Sequence, residues 1–439
     1  MSQSAVDTAD YLDPTEYTIR VASTKQAKKH IDATWEIPSW RKGMNRKQFD
    51  EFYEKEARSE WYQDGMSLKW VLVRKDDFDG EPLSFAETHR HSALYKPKST
   101  SGATDERIEQ GIFYNITAVV TPLAHRRRGY ATHLMKLLHY TLLNPSSPGD
   151  PPSHIPPFPI EWGSPPPAIP DHLAQQIPSP IAATLWADID PSFYERCTIG
   201  NVDGTGYNYH ADWNRVCTFD LLPPASVNSQ NEPEEYQWNT IHLKKMDEVK
   251  ATLHDSIYKS IQRAGDSPKT IFTQDPTTAG ALTYIGTRAS FVDPRPEWAT
   301  KIRAEQYPLG IKSIKKTKDG NDEEESIVLF ALESFYLGEK FLITKIDDVQ
   351  SDQIGSMVAE LDKINHETGA KYSQAEFWGI DPDSTKWFES LQRECERSGR
   401  SFRTGIRSGE GKHVLAVCDY TQPGKDGFQM QDTQMWNWV

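Results

Sequence analysis

Several features that would directly indicate a function class are missing from this chain of 439 residues. Its four cysteines form no CxxC pair, so the sequence predicts neither a zinc site nor a disulfide framework, and we expect no bound metal. Basic charge is in deficit as well, since 63 acidic against 49 basic residues give a net charge of -14. This balance argues against broad nucleic-acid binding. No segment approaches the roughly 20 apolar residues of a membrane span, and no signal peptide is visible, so we expect a cytoplasmic protein.

In the first half, the hydrophobic period changes from helical to alternating. Residues 17–35 are typical of a strand followed by a helix, and residues 46–61 of a second helix with an aromatic stripe. Three segments rich in aromatic and β-branched residues follow, at 68–77, 81–96 and 109–120. They predict three strands of an antiparallel meander. A helical stripe then begins after Gly129.

Proline-rich and linker-like segments divide the rest of the chain. Residues 144–180 contain 13 prolines, too many for a helix or a central strand. We expect an inserted loop with polyproline character, to which a partner of the SH3 or WW type could bind. Residues 221–237 have the composition of a linker. This segment predicts two domains, 1–225 and 226–439.

The second half repeats the order of the first. Two strands, a helix, a strand, a helix and a strand are predicted over 325–420, as they are over 109–200. The order indicates two related α/β units. Only the first carries a basic loop: it has "TPLAHRRRGYA" where the second has "DDVQSDQIG".

The stretch "VVTPLAHRRRGYATHLM", residues 119–135, runs from a strand through a turn into a helix. Free N–H groups and the partial positive charge at a helix N-terminus form an anion site, and small residues allow close backbone approach to a pyrophosphate. Arg126, Arg128, Gly129 and Ala131 fit that design, and Thr132 adds a hydroxyl donor. An ordinary strand-to-helix turn is the alternative.

This stretch resembles the acetyl-CoA signature of the GNAT N-acetyltransferases, in which Val-x-Pro leads to Gln/Arg-x-x-Gly-x-Gly/Ala. The matching positions are Val120, Pro122, Arg126, Gly129 and Ala131. "LWADIDPSFYERC" resembles the family's final motif, in which a tyrosine follows a strand, and the likeness covers about residues 17–220.

The resemblance implies an α/β (α+β) GNAT fold with a mixed, mainly antiparallel central sheet. The second unit would be a degenerate GNAT-like copy without a cofactor loop. Acetyl-CoA would be the cosubstrate. The residues implied to hold it are Val119, Val120, Arg126, Arg127, Arg128, Gly129, Tyr130, Ala131 and Thr132.

Within the family, the fungal lysine N6-acetyltransferases of lysine catabolism are most similar, through "FAETHR", the "RRRGYA" loop and the 185–194 segment. The proline-rich insert departs from their pattern. The likeness implies acetyl transfer to the side-chain amine of free L-lysine. Another small amine or a protein amine is the alternative acceptor. A non-catalytic acyl-CoA-binding or scaffolding protein is the alternative of another class.

In this family an amine attacks the thioester directly, so no enzyme nucleophile is needed. By resemblance, Tyr194 protonates the leaving thiolate, the alternative being a core tyrosine. Glu87, in a strand pattern, is the first choice for the base, acting directly or through water, and a salt-bridge partner is its alternative. Asp188, which the pattern places inside an apolar strand, is a second candidate base or a ligand for the substrate ammonium.

Further substrate contacts are expected from three places. Asn115 and Thr117 share a strand face and would line the amine pocket, although a plain polar face is the preferred alternative. The aromatic tail "QDTQMWNWV" is expected to dock where the two units meet and to bring the Val439 carboxylate towards the amine. Free lysine also needs a carboxylate clamp, for which Arg90 and Arg288 are two of many candidates. Four histidines near the site are interpreted as polar surface or satisfied core residues: His89, His91, His125 and His133.

Overall fold

The computed structural model describes residues 12–98, 107–223, 236–264, 267–316, 323–333, 340–380, 387–409, 411–424 and 427–438. Within these ranges the strands form two mixed sheets that carry helices and pack against each other. None of the helices in these ranges is long and apolar enough to cross a lipid bilayer.

The first sheet has eight strands, six of which follow one path in the order β1-β2-β3-β4-β5-β14. Neighbours on this path are antiparallel except β4 and β5, which are parallel. β8 pairs with the far half of β3 and with β15. The strands are β1 (Tyr17–Val21), β2 (Ser67–Arg74), β3 (Ser84–Lys96), β4 (Glu109–Val120), β5 (Ala182–Ala187), β8 (Thr270–Gln274), β14 (Val414–Asp419) and β15 (Phe428–Met430).

The second sheet has seven strands in the order β13-β6-β12-β11-β10-β9-β7, and only β11 and β12 are parallel in it, whereas the first sheet has a second parallel pair in β8 and β15. The two mainly antiparallel sheets confirm the predicted mixed α/β fold with two units. The strands are β6 (Arg215–Asp220), β7 (Trp238–His242), β9 (Pro308–Lys316), β10 (Glu323–Ala331), β11 (Phe341–Asp347), β12 (Gln374–Trp378) and β13 (Phe402–Ile406).

Helices link and cover the strands. They are α1 (Thr24–Trp35), α2 (Pro38–Arg41), α3 (Arg46–Glu56), α4 (Tyr130–Leu143), α5 (Asp171–Ala174), α6 (Ser192–Glu195), α7 (Met246–Arg263), α8 (Tyr284–Ala289), α9 (Glu297–Thr300), α10 (Ile354–Glu367) and α11 (Phe388–Arg397). α4 follows the basic loop, and its predicted stripe is buried in the core of the first unit because those positions recur on one helical face. The stripe comprises Tyr130, Leu134, Leu137, Leu138 and Thr141.

The two sheets exchange strands across the predicted domain boundary. β6 comes from the first half of the chain, yet it pairs with β12 in the second sheet. β14, predicted as the last strand of the second unit, pairs with β5 in the first sheet. The division at residues 225 and 226 stays a prediction, and neither sheet is complete without a strand from the other half.

The proline-rich insert forms a loop, as its composition predicts, with only short helical turns such as α5. It lies against the first unit, because four of its apolar side chains are buried in the core around α4. They are Ile155, Trp162, Ile169 and Ile177. Contact with SH3 or WW modules stays a prediction.

Candidate active site

The end of β4 is distorted where the resemblance implies that a cofactor binds. Ala86 on β3 faces two residues of β4, Ala118 and Val119, and Ala118 takes a left-handed φ of 47°. Such a β-bulge bends its strand and is frequent beside active sites. β4 pairs with β5 only up to Ile116 and Leu185, and the two strands diverge beyond. We call this divergence the first splay.

A cavity of about 120 Å³ opens at the first splay. Seven residues named from the sequence line it together: Glu87, His89, Thr117, Val119, Asp188, Tyr194 and Arg288. Asn115, Val120 and the basic loop are not among its lining residues. Val439 lies outside the described residues.

Glu87 is buried in the middle of β3, and its Oε1 atom lies among donors. Ser67 Oγ lies 2.7 Å and Lys69 Nζ 3.2 Å from this oxygen, and the Tyr62 hydroxyl donates to it as well. Burial alone would raise the pKa of Glu87, but the charge of Lys69 and the neighbouring histidines outweigh burial, so its pKa is lowered. Glu87 is therefore an ionised carboxylate and a weak proton acceptor.

Three of the four histidines differ from the interpretation as surface or satisfied core residues, whereas His125 is only half-buried. His89, His91 and His133 are buried, and each leaves one ring nitrogen without a hydrogen-bond partner. His89 lines the cavity, with its Nε2 3.7 Å from Glu87 Oε1. Burial lowers the pKa of His89 to about 4, so this ring is neutral at pH 7.

Tyr194 lies on α6, just after β5, and forms one wall of the cavity. Its ring packs edge-on against Phe193 and Tyr207. Burial raises the pKa of Tyr194 above its usual value, so the phenol carries its proton at physiological pH. A protonated hydroxyl at the splay is able to donate to a leaving group.

Asp188 differs from the prediction in its surroundings. β5 ends at Ala187, so Asp188 follows the strand rather than lying inside it, and its side chain is 33% exposed. The burial cost that made an acidic residue conspicuous there is therefore small. Its Oδ1 pairs with Nδ1 of His413, which is brought there by the start of β14.

Asn115 is fully buried on β4, and both polar atoms of its side chain are without hydrogen-bond partners. Its neighbours across the sheet are His89 on β3 and Thr184 on β5. Thr184 Oγ1 and His89 Nδ1 also have no partner. Asn115 thus belongs to a row of buried polar groups beside the cavity, and a role for it in substrate binding stays a prediction.

The basic loop has the features of an anion site. Gly129 starts α4 with a left-handed φ of 84°, and Arg127 is also left-handed at 64°. Among the described residues, no backbone N–H from Arg127 to Thr132 donates to another group. The side chains of Arg126, Arg127 and Arg128 are exposed, and no described carboxylate lies within 4 Å of them. Free N–H groups at a helix start, together with unneutralised charge, suit a phosphate.

Other cavity residues were not predicted, among them Tyr62 and Glu56. Trp438 belongs to the tail whose docking was expected, and Arg288 was only one of many candidate clamps. Arg90 lies elsewhere, donating to the Gln176 carbonyl. The alternating pattern of β2 predicts that Lys69 shares a face with the residues two positions before and after it. The register that places Lys69 opposite Glu87 is set by the pairing of β2 with β3, which the sequence does not reveal.

The second unit has a splay as well, between β11 and β12. These strands pair only up to Ile343 and Phe377, and β11 bulges at Thr344. The C-terminal tail, residues 427–438, fills this second splay. The Gln434 side chain accepts from the Ile346 N–H at 2.7 Å and donates to the Ile346 carbonyl at 3.1 Å.

The tail is held from the β12 side too. Thr433 Oγ1 donates to the carbonyl of Gly379 at 3.1 Å, and a Cβ atom on Gly379 would lie 1.9 Å from the Thr433 carbonyl oxygen. The tail then enters the junction of the units, as its aromatic composition predicts. There Trp438 stacks on Trp378, with ring centroids 5.4 Å apart, and reaches the cavity.

Neither metals nor thiols stand out at the site. Among the described residues, no group of three or more His, Cys, Asp or Glu side chains is placed to hold a metal ion. All four cysteines are buried and free, as the sequence predicts, and none lines the cavity: Cys197, Cys217, Cys395 and Cys418.

No protein-family model matches the chain, and no curated protein matches it. Solved structures show likenesses over most of its length. A GCN5-related N-acetyltransferase from Kribbella flavida is 10% identical over 92% of this chain and 71% of its own, with a TM-score of 0.43. A GCN5-related N-acetyltransferase from Anabaena variabilis ATCC 29413 is 12% identical over 91% and 72%, with a TM-score of 0.41.

A tandem GNAT protein from the clavulanic acid biosynthesis pathway is 9% identical over 92% of this chain and 98% of its own, with a TM-score of 0.41. Identity and TM-score are low in all three likenesses. The case for a function therefore rests on the geometry of the site.

Proposed function

We propose that the protein is an acetyl-CoA-dependent N-acetyltransferase that acetylates the side-chain amine of free L-lysine. One observation carries the proposal: a single cavity at the first splay is lined by an ionised carboxylate, Glu87, and a protonated phenol, Tyr194. A cavity that only bound an acyl-CoA would need neither group. The basic loop of unpaired N–H groups follows directly on the splayed strand.

In the proposed reaction the amine nitrogen attacks the thioester carbonyl carbon and forms a tetrahedral intermediate. The C–S bond then breaks, the carbonyl re-forms, the thiolate of CoA takes the proton of Tyr194, and the nitrogen of the new amide releases its extra proton to water. The phenol regains a proton from solvent. The position of Tyr194 in the cavity lining supports this role, and its phenol carries a proton at physiological pH.

The acceptor must lose a proton before it attacks. A lysine amine with a pKa of about 10.4 is neutral about once in 2,500 molecules at pH 7, a cost of roughly 4.6 kcal/mol. Glu87, whose pKa is lowered, attracts the acceptor ammonium and orders a water molecule. This water carries the proton of the ammonium to the solvent. The attraction of Glu87 favours the charged form, whereas the aromatic cavity walls reduce the hydration of the ammonium and so favour the neutral amine.

Acetyl-CoA would be held by the backbone, with its pyrophosphate on the N–H groups between Arg127 and Thr132. Arg126, Arg127 and Arg128 would add positive charge from the surface. The backbone of Val119 and Val120 would bind the acetyl carbonyl and the pantetheine amides. The bulge at Ala118 supports this part, since it turns the strand end out of its ladder.

Asp188 is proposed to attract the acceptor ammonium at the cavity mouth. Its partial exposure leaves the carboxylate accessible, and the pair with His413 orients it. Asn115 is proposed to act only through buried water, because it does not line the cavity.

Incubating the purified protein with acetyl-CoA and a panel of free amino acids, polyamines and peptides, and following CoA release, tests the proposal. We expect turnover with L-lysine above all others. Turnover with other amines only would overturn the acceptor but keep the chemistry. No turnover with any amine, with acetyl-CoA bound, would leave a binding or scaffolding protein.

A further inference from the structure

A buried ion pair in the cavity wall has no role in the chemistry above. Glu56, at the end of α3, and Arg288, on α8, come from different halves of the chain. Both line the cavity, at 2% and 7% exposure, and Arg288 Nε donates to Glu56 Oε1. The pair thus presents opposite charges to one enclosed space.

One oxygen of this pair is without a partner. Glu56 Oε2 is buried and accepts no hydrogen bond from the described residues. A buried carboxylate oxygen without a donor is costly, so it calls for a donor that binds there. A substrate ammonium is such a donor.

The guanidinium of Arg288 is suited to a carboxylate. Its Cζ atom lies 5.2 Å from the ring centroid of Phe52 and 5.8 Å from that of Tyr284. A planar guanidinium binds carboxylates in a two-pronged geometry that an ammonium cannot reproduce. The pair therefore offers a cation for a carboxylate and an oxygen for an ammonium, side by side.

A series of neighbouring side chains connects the pair to the splay. Arg288 lies over Tyr284, whose ring centroid is 6.4 Å from that of His89. His89 Nε2 is 3.7 Å from Glu87, which faces Thr117 across the sheet, and Val119 is two residues further along β4. A ligand held at the pair would extend along this wall to reach the splay.

We propose that Glu56 and Arg288 form the subsite for the α-ammonium and α-carboxylate of an amino-acid acceptor. Arg288 takes the carboxylate and Glu56 Oε2 the ammonium, so the second amine, on a flexible side chain, extends to Val119 and Tyr194. Pair and zwitterion are each neutral, so binding buries no net charge. This inference rests on the proposed function.

Three acceptors separate the two recognition elements. L-lysine carries both α groups, 1,5-diaminopentane lacks the carboxylate, and 6-aminohexanoate lacks the α-ammonium. We expect kcat/KM for L-lysine to exceed that for either analogue at least 100-fold. Equal or better turnover of 1,5-diaminopentane would overturn the subsite while leaving the acetyltransferase function intact.

Two variants divide the roles of the pair. Glu56→Gln should raise KM for L-lysine at least tenfold, with kcat nearly unchanged and 6-aminohexanoate little affected. Arg288→Lys should abolish most of the preference for L-lysine over 1,5-diaminopentane. An equal loss with all three amines would mean that the pair only supports the fold.

The chain offers a matched control in Arg400 and Asp362, a buried ion pair outside the cavity. Asp362→Asn makes the same chemical change and should leave the acceptor preference as it is.

Binding gives a readout that needs no turnover, because Trp186 and Trp438 line the cavity. L-lysine should change their fluorescence in the wild type. In Glu56→Gln, the dissociation constant for L-lysine obtained from this change should be at least tenfold higher. If no amine is acetylated but this pattern holds, the proposed function fails and the subsite stands. An absence of any L-lysine effect overturns the subsite.

Discussion

The two splays of this molecule have similar backbones, but the first is open and the second is filled by protein. Each lies where a parallel strand pair diverges beside a β-bulge, and a tryptophan, Trp186 or Trp378, directly follows the last paired residue. The first opens into a cavity and leads to a loop with unpaired N–H groups. The second is filled by the chain's own tail.

The helix starts differ in the same way. Before α10, the Gln353 side chain accepts from the Gln350 N–H at 2.7 Å and from Ser326 Oγ at 2.8 Å. Asp348 and Asp352 stand near the position of the three arginines of the first unit. A capped, acidic helix start repels an anion. One backbone plan therefore supports two uses, and side chains decide between an open site and a structural plug.

Acidification should reveal the largest difference between the two units, because the buried histidines lie in or beside the first sheet. Burial lowers the pKa of His30, His89, His133 and His139 to about 4 and that of His91 to about 3. Each of these rings stays neutral in the folded protein down to its lowered pKa, whereas in the unfolded chain it takes up a proton below about pH 6.5. The unfolding free energy is therefore greatest above pH 6.5 and falls as the pH is lowered towards 4. For His30, His89, His133 and His139, roughly 3 kcal/mol of unfolding free energy per ring is lost between pH 6.5 and pH 4, and His91 extends the loss to lower pH.

Urea unfolding between pH 7.5 and 4.5 should therefore show a steep loss of unfolding free energy, with several protons taken up. His91→Gln should reduce that slope by about one proton. A flat profile between pH 7 and 5 would contradict the burial of these rings.

Tyr194→Phe should cut kcat roughly 10²- to 10⁴-fold, because the thiolate would lose its proton donor. The acetyl-CoA dissociation constant should change less than threefold. Steady-state kinetics and a binding titration measure the two. Tyr207→Phe is the control, since its ring lies 6.0 Å from that of Tyr194 but outside the cavity lining. Unchanged turnover in Tyr194→Phe would refute the acid role.

Gln434→Ala should loosen the plug of the second splay. It removes both hydrogen bonds to Ile346, at a cost of about 1–3 kcal/mol of unfolding free energy. Gln429→Ala, at an exposed position of β15, is the control and should change stability by less than about 0.5 kcal/mol. Equal stability of the two variants in chemical denaturation would show that the tail does not hold the splay.

Gly129→Val should weaken acetyl-CoA binding roughly fivefold to thirtyfold, because a left-handed residue other than glycine costs about 1–2 kcal/mol. Calorimetric titration measures the affinity. Gly355→Val, in the first turn of α10, makes the same change in the second unit and should not alter binding. Equal affinities would exclude the loop as the cofactor site.

Arg127→Ala should have the smallest effect, less than threefold in acetyl-CoA affinity at physiological salt. Its side chain is exposed, and solvent screens its charge. The effect should shrink further as salt is raised, which a titration at two ionic strengths would show. A loss larger than that of Gly129→Val would mean that side-chain charge, not the backbone, holds the anion.

Much of the first unit was predictable because its signals are local. The meander from β2 to β4 follows from alternating hydrophobicity, and α4 from a helical stripe after a glycine. Short strands such as β8 and β9 were missed, since a run of five to nine residues does not by itself reveal its pairing partners. Asp188 was misplaced by the same weakness, as the end of β5 lies before it.

By itself, the sequence determined the two mixed units, the helix that begins at Gly129, and the grouping of Glu87, Asp188 and Tyr194 near one strand end. Only the tertiary structure decided that β6 and β14 change sheets, that Glu56 meets Arg288, and that the tail closes the second splay. Periodicity reports which face of an element is buried, whereas partners far apart in the chain are chosen by packing, which no local pattern records.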